Sequence, residues 1–183
     1  ALSRMNEEMG YDRILDIADD VLSKYQDAYF LMVGATGEFT SDVIEFCNNH
    51  SRAKYSINIP FDMKPSYYSI ARVFIAPTMN IHACMGVSIK EAMAAGRAIV
   101  ASSSGGIPEA IKHGQNGFLV GMEGNKANTS EMKTYIGKLI EDDSLVHQFS
   151  TQARIDAKRF FSNEIMYKSY KDLLDNWSNE DDF

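Results

Sequence analysis

Cysteine and long apolar runs are scarce in this sequence. Cys47 and Cys84 are the only cysteines among 183 residues, too few for a disulfide framework, and neither they nor the histidines show metal-ligand spacing. The longest apolar run, residues 28–33, is far shorter than the roughly 20 residues of a membrane-spanning helix. A disulfide-stapled secreted module and a membrane span are therefore not expected, and the reducing cytoplasm is the predicted compartment.

Positive charge is also in short supply. The chain has 18 Lys and Arg residues against 25 Asp and Glu residues, which gives a net charge of −7. An acidic surface repels phosphate backbones and anionic lipids, so we expect no nucleic-acid partner and no membrane contact through this domain. A longer parent protein could still work at a membrane, and a local basic pocket for a small anion is compatible with this balance.

Apolar patterns alternate regularly along the chain. A hydrophobic content of 45% suits one packed core. Helical spacing alternates with short apolar runs, which predicts an α/β fold: a doubly wound, Rossmann-like parallel sheet with C-terminal helices. The predicted strands are residues 28–33, 55–59, 73–76, 98–101 and 118–120. The predicted helices are residues 11–25, 40–49, 65–71, 87–95, 107–112, 131–141, 144–160 and 163–177.

The same patterns predict the extent of the domain. Residues 1–178 are expected to form a single domain, followed by a frayed acidic tail at residues 179–183. The chain starts at Ala1 rather than at a methionine, and residues 1–3 resemble the end of a strand. We therefore expect a domain excised from a longer protein.

Two glycine-bearing loops between His82 and Glu109 are the most informative feature. Each leads directly into a predicted helix, and helix N-termini present unpaired N–H groups with partial positive charge. Loops after parallel strands gather at one edge of the sheet, where ligands bind. The loops at residues 34–39, 60–64, 77–86 and 102–106 are expected at that edge, and they predict a site for a phosphorylated ligand.

Several short motifs, taken in order, resemble a known enzyme family. The motifs are Ser3-Arg4 with Glu8-Met-Gly10, Val73-Phe-Ile-Ala-Pro-Thr78, Gly86-Val-Ser-Ile-Lys-Glu-Ala-Met-Ala-Ala-Gly96, Ala98-Ile-Val-Ala-Ser102, Gly105-Gly-Ile-Pro-Glu109 and Gly114-Gln-Asn-Gly-Phe-Leu-Val120. In order and spacing they look like the C-terminal, donor-binding half of a family 4 retaining glycosyltransferase of GT-B fold. The resemblance covers nearly the whole chain.

This resemblance implies a role for each residue of the predicted site. Glu91 would accept hydrogen bonds from the ribose hydroxyls of a nucleotide sugar, since a carboxylate is an acceptor-only group. The backbone amides of Gly86, Val87 and Ser88 would face the diphosphate at a helix N-terminus. Arg4 would pair with the same diphosphate through its forked guanidinium. Arg4 and Glu91 are therefore the expected catalytic residues.

Two departures from the family pattern leave part of the site open. The family's Glu-x7-Glu motif begins with a glutamate that contacts the transferred sugar, and this chain has Ala83 there. The usual diphosphate-binding lysine is Met9. His82 either contacts a sugar hydroxyl instead or is incidental. Lys90 or Arg13 either replaces the missing cation or belongs to a solvated helix face.

Other residues near the predicted site have two interpretations each. Gly34 begins a turn that resembles a phosphate-binding loop, and the family places this loop near the donor. Gly105 and Gly106 either approach the ligand or only shape a turn. Tyr67 and Tyr68 either stack on a base or pack in the core.

The resulting hypothesis is the donor-binding half of a glycosyltransferase. The resemblance implies transfer of a hexose from a UDP- or GDP-sugar to a hydroxyl of a glycan or another acceptor, with retention and no obligatory cofactor or metal. The expected partner is an N-terminal acceptor domain of the same parent chain, so the fragment alone would bind nucleotide without transfer. Two alternatives stay open: a non-catalytic or regulatory homologue, which Ala83 and Met9 favour, and a GT-B enzyme such as an epimerase.

Overall fold

The computed structural model describes residues 1–79 and 85–177, and helices and strands alternate through them. The α-helices are Tyr11–Lys24 (α1), Thr40–Asn49 (α2), Lys64–Ser69 (α3), Val87–Ala94 (α4), Ile107–Ala110 (α5), Thr129–Glu141 (α6), Asp143–Phe161 (α7) and Asn163–Trp177 (α8). The β-strands are Phe30–Gly34 (β1), Ala53–Ile57 (β2), Val73–Ala76 (β3), Ala98–Ser102 (β4), Phe118–Val120 (β5), Met122–Glu123 (β6) and Lys126–Ala127 (β7). The predicted α/β class is confirmed, whereas the predicted tail at residues 179–183 lies outside the described residues.

Parallel strands with helices on both faces form the centre of the domain. β1 pairs with β2, and β3, β4 and β5 pair in that order, all in parallel. Successive side chains of a strand point to opposite faces. On β4, Ala98 and Val100 therefore pack in a cluster with α1 and α6, whereas Ile99 and Ala101 pack in a second cluster with α4. This arrangement confirms the doubly wound prediction.

The strands depart from the sequence prediction in several places. β1 begins two residues later than predicted, at Phe30, and β1 and β4 each end one residue later, at Gly34 and Ser102. β2 begins at Ala53 and ends at Ile57, two residues earlier than predicted, because the buried Ala53 is the residue that pairs with Phe30. β6 and β7 form an antiparallel hairpin that the sequence analysis did not predict. Each of these strands has two residues, too few for a period-two alternation to be recognised.

Residues 1–5 extend the β1–β2 ladder along the other edge of β1. The N–H of Val33 donates to the carbonyl of Ala1, and the N–H of Ser3 donates to the carbonyl of Val33, both at 3.0 Å. The two backbones approach so closely at Gly34 that a Cβ atom there would lie 1.6 Å from the carbonyl oxygen of Ser3. The pairing of the N-terminal segment with β1 therefore requires glycine at this position.

A groove of about 940 Å³ lies between β1 and β3 and is lined by residues of both strands. Within the described residues, β1 and β3 belong to separate hydrogen-bonded ladders. Leu2 and Val33 nevertheless pack in the same apolar cluster as Phe74 and Ala76. Side-chain packing through the N-terminal segment thus joins the two ladders into one core.

The last helix, α8, lies on the surface. None of its residues is buried, and its exposed apolar side chains include Met166, Tyr170 and Trp177. In the part of the chain that the structure describes, no helix combines the length and the apolar character needed to cross a bilayer. α8 therefore adds little to the core that positions the strand ends.

Replacing Gly34 with alanine should disrupt the pairing of the N-terminal segment with β1. The new Cβ would overlap a backbone carbonyl oxygen, which cannot turn away as a flexible side chain can. We expect the free energy of unfolding to fall by about 3 kcal/mol or more, the upper part of the range for single substitutions. Urea denaturation followed by circular dichroism measures this change.

Gly121→Ala is the matched control, because a Cβ there meets only a side-chain oxygen of Glu131, at 3.5 Å. Its free energy of unfolding should stay within about 0.5 kcal/mol of that of the wild type. Equal stability of the two variants would contradict the described approach of Ser3 to Gly34.

Candidate functional site

A cleft of about 610 Å³ opens where the strands end at their carboxyl edge. Its wall contains residues from four loops: the loop after the N-terminal segment and the loops after β1, β2 and β3. The start of α4 also contributes to the wall. Its lining includes all of the predicted site residues that the structure describes: Arg4, Gly34, Gly86, Val87, Ser88 and Glu91. The fold thus brings together residues that are up to 87 positions apart in the sequence.

The N-terminus of α4 forms one wall of the cleft. Gly86 precedes the helix with a φ of 67°, a left-handed conformation that favours glycine. Within the described residues no side chain caps the helix, so the N–H groups of Val87 and Ser88 have no side-chain acceptor. The first turn also carries no acidic residue. This end of α4 therefore keeps its partial positive charge, which suits an anionic ligand.

Arg4 brings a full positive charge to the same cleft. It directly follows the residues that pair with β1, so that pairing holds its backbone at the sheet edge. Arg4 is exposed, and among the described residues no carboxylate forms an ion pair with it. Its guanidinium can therefore donate forked hydrogen bonds to phosphate oxygens.

Glu91 lies one turn inside α4, where two residues of α3 contact its carboxylate. The Tyr68 hydroxyl donates to Oε2 at 2.7 Å. The Lys64 ammonium lies 3.1 Å from Oε1 and 3.4 Å from Oε2. Lys64 and Tyr68 are four residues apart on α3, so both side chains lie on the face that meets α4.

Tyr68 is a core residue whose hydroxyl donates to Glu91, a residue of the cleft. Its side chain is 3% exposed, and its ring packs against Phe74 with the ring centroids 5.7 Å apart. Of the two interpretations of this residue, packing is the one that the structure supports. Burial, with the hydrogen bond to Glu91 and its negative charge, raises the pKa of Tyr68 above the usual range for tyrosine. The phenol therefore stays protonated and remains a donor to Glu91.

Lys64 is the candidate residue that the sequence analysis missed. Its contact with Glu91 joins two residues that are 27 positions apart. Such a contact depends on how α3 crosses α4, and no local motif marks it. The only signal in the sequence is a lysine in a loop already expected at the ligand edge of the sheet.

The two cations considered as replacements for the missing lysine do not line the cleft. Arg13 pairs with Asp12 at 2.7 Å, and its side chain is only 8% exposed. The Lys90 ammonium lies 5.7 Å from the centre of the Phe161 ring. Met9 itself lines the cleft, so the wall carries a thioether where the family resemblance implies an ammonium.

The second glycine-bearing loop contributes little to the cleft. Of residues 102–110, all of which are described, Ile107 is the one that lines it. α5 has only four residues and therefore a short dipole. Gly105, with a φ of 50°, shapes the turn that leads into this helix.

Several residues of interest fall outside the described part of the chain. His82, Ala83 and Cys84 lie in the undescribed segment that precedes the cleft wall. Within residues 1–79 and 85–177, no cluster of His, Cys, Asp or Glu side chains is large enough to hold a metal ion.

The fold and the cleft together define a Rossmann-like α/β domain with a site suited to a phosphorylated ligand. The family profile "Glycosyl transferases group 1" matches residues 1–156. Because this match covers most of the chain, the protein belongs to the group 1 glycosyltransferases.

Two relatives with assigned activities illustrate the similarity. A GDP-mannose-dependent alpha-(1-6)-phosphatidylinositol monomannoside mannosyltransferase of Mycobacterium tuberculosis is 26% identical over 126 residues, 65% of this chain and 33% of the relative. A 2-deoxystreptamine N-acetyl-D-glucosaminyltransferase of Niallia circulans is 22% identical over 174 residues, 94% of this chain and 43% of the relative. The chain therefore spans less than half the length of these relatives.

Solved structures share the fold. The C-terminal domain of the group 1 family protein LpcC from Francisella tularensis aligns with a TM-score of 0.76 at 19% identity, over 88% of this chain and 85% of that one. Anabaena Alr3699/HepE, solved in complex with UDP, aligns with a TM-score of 0.80 at 18% identity, over 96% of this chain and 48% of that one. The same protein has been solved with UDP-glucose. The fold is that of the C-terminal domain of GT-B glycosyltransferases.

Tyr68→Phe should reduce the loss of stability at alkaline pH. Above about pH 10 an unfolded tyrosine releases its proton, whereas Tyr68 in the folded chain keeps it because its pKa is raised. The unfolded state then binds fewer protons, so the wild-type chain loses stability as the pH rises through this window. The Tyr68→Phe variant should lose less stability over this pH range. Urea denaturation from about pH 8 to about pH 11 measures how the free energy of unfolding of each chain changes with pH.

Tyr29→Phe is the control, because the Tyr29 side chain is 74% exposed and changes its surroundings little on unfolding. Its free energy of unfolding should change with pH as that of the wild type does. The same pH dependence in Tyr68→Phe would contradict the environment described for Tyr68.

Proposed function

We propose that this chain is the donor-binding domain of a retaining glycosyltransferase that transfers a hexose from a UDP- or GDP-sugar to a hydroxyl acceptor. One observation carries the proposal: a single cleft contains an arginine, a carboxylate and a helix N-terminus that no described side chain caps. A nucleoside diphosphate presents the complementary groups, two anionic phosphates and a ribose with neighbouring hydroxyls. The resemblance to family 4 enzymes supports the retention of configuration.

In this proposal the diphosphate binds to Arg4 and the N-terminus of α4. The guanidinium supplies a full positive charge and forked donors, and the amides of Val87 and Ser88 supply fixed dipoles. When the bond between sugar and diphosphate breaks, negative charge grows on the departing phosphate oxygen. Preorganised positive groups stabilise that charge without rearrangement, which lowers the barrier.

The ribose binds to Glu91 in this proposal. A carboxylate accepts hydrogen bonds with both oxygens and can therefore receive two neighbouring hydroxyl donors. Glu91 lies one turn beyond the amides at the start of α4, so one short helix contacts both the diphosphate and the ribose.

Either UDP or GDP is supported as the nucleotide. The Mycobacterium tuberculosis relative is named as GDP-mannose-dependent, and the Anabaena protein was solved with UDP and with UDP-glucose. We infer that the remainder of the site lies in an N-terminal acceptor domain of the same polypeptide, since the chain spans less than half of its relatives. The domain alone then binds nucleotide without transferring sugar, because closure of the two halves completes the site.

A second candidate function is a non-catalytic nucleotide-binding homologue. Met9 in the cleft wall favours it, because a lysine there would add a charge-assisted hydrogen bond of about 1.5–3 kcal/mol to an anion. Transfer activity of the complete protein separates the two candidates. Sugar transfer supports the enzyme, whereas nucleotide binding without any transfer by the complete protein supports the second candidate.

Glu91→Gln should weaken nucleotide binding about ten-fold or more. The amide keeps the shape of the side chain but removes the charge and replaces one acceptor oxygen with a donor. Isothermal titration calorimetry with UDP, GDP and their hexose conjugates measures the dissociation constants. Parallel titrations with EDTA and with Mg²⁺ show whether binding depends on a metal.

Glu109→Gln is the matched control, because Glu109 is exposed on α5 and does not line the cleft. Its affinity should equal that of the wild type. Absence of binding to either nucleotide would overturn the proposed function, and an unchanged affinity of Glu91→Gln would exclude Glu91 from the site.

A further inference from the structure

The Glu91 cluster consists of Lys64, Tyr68 and Glu91 and joins α3 to the wall of the cleft. Each carboxylate oxygen of Glu91 has a donor from α3: the Tyr68 hydroxyl at 2.7 Å from Oε2 and the Lys64 ammonium at 3.1 Å from Oε1. Lys64 and Glu91 both line the cleft, and their side chains are 27% and 26% exposed. The cluster therefore lies at the boundary between the core and the ligand site.

The acceptor positions left free on the Glu91 carboxylate match in number the two neighbouring hydroxyls of a ribose. An ionised carboxylate has about four lone-pair positions, two on each oxygen. The Tyr68 hydroxyl uses one position on Oε2, and the Lys64 ammonium uses one on Oε1 at 3.1 Å. The ammonium also lies 3.4 Å from Oε2, beyond the usual range of about 2.7–3.2 Å for such a hydrogen bond, so this longer contact does not fill the second position on that oxygen. One position on each oxygen remains. Two neighbouring hydroxyls present two donors, which is the number that this arrangement leaves room for.

We propose that Lys64 and Tyr68 are positioning residues for nucleotide binding: they orient the Glu91 carboxylate so that each oxygen keeps one acceptor position for the ribose hydroxyls. This inference rests on the proposed function, in which Glu91 binds the ribose. It adds a role for two residues of α3 that the ribose itself does not contact.

The two positioning side chains are themselves held in place. Tyr68 is 3% exposed and packed against Phe74, so its hydroxyl has little freedom. Lys64 begins α3 directly before Pro65, whose ring restricts the backbone, and its ammonium lies 4.9 Å from the centre of the Phe61 ring. A glutamate held in this way has little rotamer freedom left to lose when the ligand binds, and such preorganisation increases affinity.

Lys64 could instead act on the phosphates, since it shares the cleft with Arg4. The ion pair at 3.1 Å argues for positioning, because the ammonium is already engaged by Glu91. The two roles differ in what they predict. A phosphate contact affects every ligand that carries a diphosphate, whereas positioning of Glu91 affects only ligands with ribose hydroxyls.

The test combines Lys64→Met and Lys64→Arg with a change in the ligand. The probes are UDP and GDP, their 2′,3′-dideoxy counterparts and inorganic pyrophosphate, and calorimetry measures the dissociation constants. Lys64→Met should weaken the binding of whichever nucleotide the wild type binds by about ten-fold. Its binding of the dideoxy counterpart and of pyrophosphate should weaken by about two-fold or less. Lys64→Arg, which keeps the cation, should restore most of the affinity. Tyr68→Phe should show the same dependence on the ribose hydroxyls.

Lys90→Met is the control, because Lys90 adjoins Glu91 in sequence but lies against Phe161 and outside the cleft. It should bind every probe as the wild type does. Equal losses for ribose-bearing and dideoxy ligands, or no loss in Lys64→Met, would overturn the positioning role. A wild-type chain that binds both ligand types equally well would instead overturn the ribose contact of Glu91 in the proposed function. Unchanged melting temperatures confirm that all variants are folded.

Discussion

The parallel pairing of residues 1–5 with β1 is the constraint on which the rest of the structure depends. It needs a glycine at position 34, because the carbonyl of Ser3 occupies the space of any Cβ there. The pairing places Leu2 in the apolar cluster that also contains Phe74 of β3, and so joins the two ladders. It also leaves Arg4 at the edge of the sheet, beside the cleft. One close approach of two backbones therefore determines both the core and the position of the cation.

The ion pair between Lys64 and Glu91 is better explained by the cleft than by stability. Partly exposed pairs of this kind contribute about 0–1 kcal/mol to folding, a small fraction of the stability of a domain. Burial of Tyr68 and its packing against Phe74 also hold α3 against the core. An ion pair of this kind is expected to add little stability. The contact of the Lys64 ammonium with a cleft carboxylate, at 3.1 Å, therefore points to a role in ligand binding.

Local patterns account for most of the elements that the sequence analysis predicted. β3, β5 and α8 have the predicted bounds, because each is a continuous apolar run or a helical repeat between clear turn residues. β2 was placed two residues too late, since its position depends on the pairing of Ala53 with Phe30 rather than on its own composition. The hairpin of β6 and β7 is held by its pairing and by the packing of Met122 and Ala127 in the core, and it has no recognisable sequence pattern.

The sequence by itself determined the start of α4 and the spacing within it. Gly86 adopts a left-handed conformation, the helix begins directly after it, and helical geometry then places Glu91 one turn beyond the first amides. Only the tertiary structure decided which cation meets that carboxylate. Lys64 does so because α3 packs across α4, whereas Arg13 and Lys90 face other partners. Contacts along one helix follow from its periodicity, but a contact between two helices depends on how they pack, which no local pattern encodes.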